Sequence, residues 1–156
     1  MNLRNTVLRA VVLDTGPLGL ASNPKSSSDA LGCRQWVREL TVRGVQLVVP
    51  EIADYEVRRE LLRADKTCGL ANLDAMTDTL SYLPLTTDMM RRAAQFWADA
   101  RLSRRQTADP HTLDGDVILA AQALALGLPD GKVVVATSNA AHLSQFIAAK
   151  AWQDIG

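Results

Sequence analysis

Acidic residues stand where apolar runs of this sequence give way to helices, and their type points to metal-assisted chemistry. Asp14 ends the run 10–13, which lacks polar alternation, as is typical of a strand buried on both faces of a parallel sheet. Glu56 falls in the first turns of a predicted helix, Asp116 begins another, and Asn139 follows a later apolar run. Ligands of open α/β sheets bind beyond the carboxyl ends of the strands, so we expect these side chains to converge there.

Carboxylates gathered at one edge of a sheet would repel one another and have raised pKa values unless a cation neutralised them. Mg²⁺ prefers oxygen ligands and often uses only one or two carboxylates, together with waters and phosphate. The pattern therefore indicates a Mg²⁺ or Mn²⁺ site that handles phosphate esters, with Asp14, Asp116 and Asp114 as the expected metal ligands.

The same residues also have simpler structural roles open to them. Asp14 could cap the helix that follows it, and one of Asp114 and Asp116 is expected to cap the next one. Glu56 could form a surface ion pair with an arginine one turn further on, and Asn139 could be only a turn residue. These alternatives stay open on the sequence alone.

The elements that must position these residues can be predicted from the apolar patterning. The predicted strands are 10–13, 46–49, 80–83 and 133–136, and a short strand or turn could lie around 151–152. The predicted helices run from 26–29 to Gly44, onward from Pro50, over 70–79, from Thr86 or Thr87 to Leu102, and over 117–126. The polar stretch 103–113 predicts a loop. Strands that alternate with helices favour an α/β fold with a mostly parallel sheet.

The bulk composition predicts one globular domain spanning 1–156. Of the 156 residues, 47% are hydrophobic and 22% are charged, and the 17 basic and 17 acidic residues cancel. A net charge of zero argues against nonspecific coating of nucleic acid, but it does not exclude a nuclease whose acids offset a basic rim. There is neither a spanning apolar stretch nor an export signal, so we expect a cytoplasmic protein with no membrane association. Cys33 and Cys68 are expected to be buried and inert.

Four segments, in order and spacing, resemble the motifs of PIN domains over nearly the whole chain. The first is the strand ending in Asp14-Thr15-Gly16-Pro17, and the second is the helix carrying Glu56. The third is Leu113-Asp114-Gly115-Asp116 with the small-residue apolar helix after it, and the fourth is Thr137-Ser138-Asn139 after a strand. The sequence is therefore similar to the PIN domain family.

This resemblance implies a three-layer α/β/α fold and a Mg²⁺- or Mn²⁺-dependent endoribonuclease. Chains of this length resemble the VapC-type toxins, which commonly form homodimers and are silenced by a small antitoxin protein. Carried over by motif, the catalytic set is Asp14, Glu56, Asp116 and Asn139, the last of which replaces an aspartate found in many members. RNA would be cleaved by in-line attack of a metal-activated water, and Asn139 would position a water or the phosphate. The candidate substrate-binding residues are Thr15, Thr137, Arg104 and Arg105.

Three other functions fit the sequence less well. A non-catalytic PIN-like scaffold that binds RNA or protein stays open because of Asn139. A phosphoacceptor signalling domain is disfavoured, since the run 80–83 ends in Pro84-Leu85 without an acid and Lys132 precedes its strand. A dinucleotide-binding enzyme is excluded because no Gly-x-Gly-x-x-Gly follows the first strand. His111 and His142 are expected to be ordinary surface or turn residues.

Overall fold

The structure is a computed structural model that describes residues 7–103 and 110–156. Its central sheet has five parallel strands in the order β3-β2-β1-β4-β5. The strands are β1 Ala10–Leu13, β2 Gln46–Pro50, β3 Ser81–Leu83, β4 Val133–Thr137 and β5 Ala149–Ala151. The four predicted strands are confirmed to within a residue at each end, and the segment near 151 forms the fifth.

Helices connect consecutive strands and cover the sheet. They are α1 Thr15–Ser22, α2 Ser28–Val42, α3 Glu51–Arg63, α4 Thr67–Thr79, α5 Thr87–Leu102, α6 Pro110–Leu124 and α7 Ala140–Leu143, with a 3-10 turn at Trp152–Asp154. Within the described ranges, none of these helices is both long and apolar enough to cross a membrane.

The apolar side chains of the sheet divide between two cores because neighbouring residues of a strand point to opposite faces. Val11 and Leu13 of β1 pack on one face in a cluster with Leu18, Leu40 and other residues of α1 to α4. Ala10 and Val12 pack on the other face with Leu119, Ala120 and Ala123 of α6. The predicted three-layer α/β/α fold with a parallel sheet is confirmed.

The register of β1 explains how distant segments meet at one edge. Leu13 stands beside Ala136 in the parallel pairing of β1 with β4, and Val12 stands beside Val48 of β2. Asp14, which follows β1, and Thr137, which ends β4, therefore lie side by side at the same carboxyl edge. The first turn of α3, which follows β2 directly, reaches that edge as well.

Three sequence-based expectations about local structure are wrong. The helix predicted to start at 117 already includes residues 110–113, which were expected to belong to a loop. As a result neither Asp114 nor Asp116 is a helix cap. Cys33 is buried as expected, but Cys68 is exposed at the start of α4.

A buried glutamine fixes the position of α3 relative to α6 and β3. Gln122 is fully buried, its Nε2 donates to the carbonyl of Leu83 at 2.8 Å, and its Oε1 accepts from the backbone N–H of Ile52 at 3.2 Å. The N-cap of α3 is Pro50, whose side chain cannot accept a hydrogen bond. Gln122 therefore replaces the missing cap and holds the helix that carries Glu56.

Candidate active site

A pocket of about 390 Å³ opens at the carboxyl edge of the sheet, between β1, β4, α3 and α6. It brings together six of the nine residues predicted from the sequence as site residues. Those six are Asp14, Thr15, Glu56, Asp116, Thr137 and Asn139. Its remaining lining comes from Gly16, Ile52, Ala53, Arg59, Thr112, Gly115, Leu119 and Ser138.

Asp14 is held by hydrogen bonds to both of its carboxylate oxygens. Oδ1 accepts from the backbone N–H of Thr15 at 2.7 Å and from the Thr15 hydroxyl at 3.1 Å, and Oδ2 accepts from the Thr137 hydroxyl at 2.7 Å. Asp14 is thus the N-cap of α1 and also a wall of the pocket. The structural and the functional interpretation of this residue are compatible, because the cap fixes the carboxylate at the strand end.

Glu56 belongs to the same cluster because it contacts Thr15, and because position 115 is a glycine that leaves room for its carboxylate. The Thr15 hydroxyl lies 3.1 Å from Glu56 Oε2, so one hydroxyl contacts the carboxylates of both Asp14 and Glu56. A Cβ atom on Gly115 would lie only 2.6 Å from Glu56 Oε1. Only glycine lets α6 approach the Glu56 carboxylate this closely.

Asp116 is the carboxylate that the described protein atoms leave unsatisfied. Its Oδ2 is buried and has no hydrogen-bond partner among the described residues. Burial raises the pKa of Asp116 to about 6, with a further increase from Asp14 and Glu56 and an opposing effect of His142. Buried polar atoms are nearly always paired in native proteins, so an orphaned carboxylate oxygen calls for a partner.

The pKa of Glu56 is also raised. Burial is the main cause and nearby Asp14 adds to it, whereas the hydrogen bond from Thr15 and the charge of Arg59 lower the pKa. Two carboxyl groups of the pocket therefore resist ionisation in the protein alone. Burial is the larger cause in both, and the repulsion expected of acids that share a site adds to it.

The donor set fits a hard divalent cation that keeps much of its water. No group of three or more His, Cys, Asp or Glu side chains within residues 7–103 and 110–156 is placed to hold a metal ion by itself. Mg²⁺ does not need such a group, because it is usually bound by one or two carboxylates with waters and substrate phosphate. Asp14 and Asp116 supply two carboxylates, and the orphaned Oδ2 of Asp116 is an oxygen that a cation would satisfy.

Asn139 lies in the pocket and is oriented by the histidine one turn later. Its backbone N–H donates to the Thr137 hydroxyl at 3.0 Å, and its Nδ2 lies 2.9 Å from His142 Nδ1. Since an amide NH₂ only donates, this contact requires the His142 tautomer that is protonated at Nε2. The amide nitrogen is thus engaged by His142, a partly exposed residue at the surface that is linked to the site through this contact.

One predicted site residue of the described part of the chain, Asp114, is not brought to the pocket. Asp114 is exposed and lines a separate apolar groove beside Met90 and Trp97 of α5. Residues two apart on a helix do not face the same direction, and Asp116 is the one that faces the pocket. The geometry therefore does not support Asp114 as a metal ligand. Arg104 and Arg105 lie outside the described residues, so their expected contact with RNA stays a prediction.

Sequence reasoning did not identify Arg59 or Ser138 as part of the site. Arg59 follows Glu56 by three residues on α3, a spacing that places both on one face of the helix. That spacing was the available signal, but it was interpreted as a surface ion pair. Ser138 approaches Gly16 so closely that a Cβ there would lie 2.0 Å from Ser138 Oγ, a contact that no sequence pattern encodes.

Comparisons with known proteins give matches only among solved structures. No protein-family model and no curated protein matches the sequence. The chain is similar to one in the crystal structure of VapBC2 from Rickettsia felis bound to a promoter DNA fragment, with a TM-score of 0.68, 14% identity, and coverage of 92% of this chain and 98% of that one. For a chain of DNA-bound VapBC from Salmonella typhimurium the TM-score is 0.64 and the identity is 18%, and the match covers 94% of this chain and 99% of that one. A third match is a chain of VapBC-5 from Mycobacterium tuberculosis, a member of the VapBC family of toxin-antitoxin systems. Here the TM-score is 0.55 and the identity is 21%, and the match covers 92% of this chain and 97% of that one.

These matches extend over almost the full length of both chains, and at such low identity they bear on the fold. Similarity of this extent between sequences of such low identity indicates a shared arrangement of strands and helices. The PIN-like fold expected from the four motifs is therefore confirmed.

Proposed function

We propose that this chain is a divalent-metal-dependent endoribonuclease and acts as a VapC-like toxin. The observation that carries the proposal is the buried, unpartnered Oδ2 of Asp116 in one pocket with Asp14 and Glu56. An acidic pocket without a cation would repel the phosphates of RNA, whereas one that holds a cation attracts them.

Each residue of the pocket has a separate task under this proposal. Asp14 and Asp116 hold Mg²⁺ or Mn²⁺, and the bonds from Thr15 and Thr137 keep Asp14 in position. When bound, the cation supplies charge neutralisation at the phosphodiester and activation of water as a nucleophile. Glu56 helps to bind the cation or orients the attacking water, and Asn139 positions that water or the phosphate.

The fold neighbours support the expected partners. The similar structures are VapBC complexes, and one of them is a member of a toxin-antitoxin family. We therefore propose that a small antitoxin binds this chain and that two copies of the chain associate. The corresponding cellular compartment is the cytoplasm, where an RNA substrate is at hand.

The test measures RNA cleavage by the purified protein in the presence of Mg²⁺ or Mn²⁺ and in the presence of EDTA. The Asp14→Asn variant is measured under the same conditions. We expect cleavage that needs the cation and is lost in Asp14→Asn while the thermal melt stays cooperative. Asp29→Asn makes the same change in the first turn of α2 and should cleave normally, which shows that the loss in Asp14→Asn depends on the position and not on the type of substitution. Cleavage that survives both EDTA and Asp14→Asn would overturn the proposal, and a folded protein with no cleavage at all would favour the non-catalytic scaffold.

A further inference from the structure

We propose that Tyr55 and Arg59 form a nucleotide-binding subsite at the rim of the acidic pocket. In this subsite the tyrosine ring stacks on a base and the guanidinium contacts a phosphate beside the one that is cleaved. The inference rests on the proposed ribonuclease function and adds to it the side chains that hold the substrate.

Arg59 connects the rim to the site. It lines the pocket together with Asp14, Glu56 and Asp116, and its guanidinium carbon lies 5.1 Å from the centre of the Tyr55 ring. The two residues are four apart on α3, the spacing at which helical side chains meet. Stacking on an aromatic face holds the guanidinium beside the pocket at little entropic cost.

The other arginines of α3 are engaged elsewhere. Arg58 binds Asp54 at 3.0 Å and Asp74 at 2.8 Å, and Arg63 binds Glu60 at 2.8 Å. In the part of the chain that the structure describes, Arg59 has no carboxylate within 4.0 Å. Its exposed charge lies in one pocket with the carboxylates of Asp14, Glu56 and Asp116, which would otherwise repel an incoming phosphate.

Tyr55 offers an aromatic surface that the fold does not use. Its side chain remains 56% exposed although Arg59 lies against the ring. Trp36 and Trp152, in contrast, pack against each other at 5.7 Å in or beside the core. Every base has a π-face, so a half-exposed ring next to a cation is the combination that binds single nucleotides without reading their sequence.

Binding of a single-stranded oligouridylate, followed by fluorescence anisotropy in an Asp14→Asn background that removes cleavage, tests the subsite. Tyr55→Ala should weaken binding about fivefold or more, the loss expected for one base–aromatic stack, and Tyr55→Phe should restore it. Arg59→Ala should weaken binding and lower the salt dependence by about one phosphate contact. Tyr82→Ala and Arg63→Ala are the matched controls, since Tyr82 is hydrogen-bonded to Asp54 and Arg63 is paired with Glu60, and both variants should bind as the background does.

An abasic nucleotide moved along the RNA separates stacking from a structural effect. At one position the abasic substitution should make Tyr55→Ala harmless, because the base that stacks is already missing. Unchanged affinity in Tyr55→Ala and Arg59→Ala, or a Tyr55→Ala defect equal at every abasic position, would overturn the subsite.

Cleavage by the otherwise wild-type chain is measured in parallel to keep the two proposals distinct. Cleavage without any binding defect in Tyr55→Ala and Arg59→Ala defeats the subsite alone. Position-dependent binding defects in a chain that never cleaves defeat the nuclease alone and leave the subsite in place.

Discussion

The carboxylate of Asp116 makes the stability of the metal-free protein depend on pH. Its pKa rises from the ordinary value of 3.8 to about 6 in the fold, mainly through burial. Between these values the folded chain holds a proton that the unfolded chain has lost, so this group destabilises the fold as the pH rises through that window. Asp116→Asn removes the effect.

We therefore expect Asp116→Asn to melt at a higher temperature than the unsubstituted chain at pH 7 with EDTA. The difference should shrink towards pH 4, where Asp116 is protonated in the fold. Thermal melts at both pH values in EDTA check this prediction. An equal melting temperature at pH 7 would show that the fold imposes no ionisation cost on Asp116.

The close approach of α6 to α3 yields a second prediction at the residue scale. Gly115→Ala places a Cβ 2.6 Å from Glu56 Oε1, so the carboxylate must move and RNA cleavage should fall. Gly19→Ala is the matched control on α1, because a Cβ there has no neighbour within 4 Å and alanine favours helix. Cleavage rates and thermal melts of the two variants give the comparison. A Gly115→Ala variant as active as Gly19→Ala would mean that Glu56 need not stay where it lies.

The sequence allowed part of this site to be predicted, because strand ends can be located from apolar runs. Asp14, Glu56 and Asp116 were placed at one edge for that reason, and the structure brings them to one pocket. Asp114 was expected in the site because it lies two residues before Asp116 and could restore the charge that Asn139 lacks, but the helix turns it away. Contacts such as that of Glu56 with Gly115 depend on how helices approach across the fold, and no local pattern encodes them.

At the scale of elements, the buried Gln122 determines where α3 begins. Gln122→Met keeps the volume but leaves the N–H of Ile52 and the carbonyl of Leu83 unpaired. The free energy of unfolding should fall by about 1–3 kcal/mol, the usual cost of a buried polar group without a partner. Gln95→Met removes an exposed bond to Asp99 and should stay within about 0.5 kcal/mol. Urea denaturation of both variants measures the difference, and equal stability would contradict this role of Gln122.

Elements were predicted best where one pattern dominated. Strands β1, β2 and β4 are continuous apolar runs buried on both faces, and each was located correctly. Residues 110–113 of α6 were expected to be a loop, because Pro110 and the polar residues after it are typical of both a loop and a helical turn. Packing favours the helix over the loop, because Leu113 and Val117 are buried against α5.

At the scale of the whole molecule, the proposed toxin activity predicts a cellular effect. Induced expression of the chain alone should arrest bacterial growth, whereas the Asp14→Asn variant should not. Growth curves with matched levels of folded protein check this. Equal growth of the two strains would count against a toxin and leave a role in ordinary RNA processing.

The central claim is that this pocket holds the cation used in RNA cleavage. A comparison of Asp114→Asn with Asp116→Asn tests it most directly. The substitution to asparagine is the same at both positions, but only Asp116 lines the pocket. Loss of an outer partner of a metal ligand costs about 10–100-fold in affinity or activity, so loss of a ligand should cost at least as much. The Mn²⁺-dependent cleavage rate should fall about 100-fold or more in Asp116→Asn, whereas the rate of Asp114→Asn should equal that of the unsubstituted chain. Equal rates for the two variants, or a larger loss in Asp114→Asn, would contradict this account of the site.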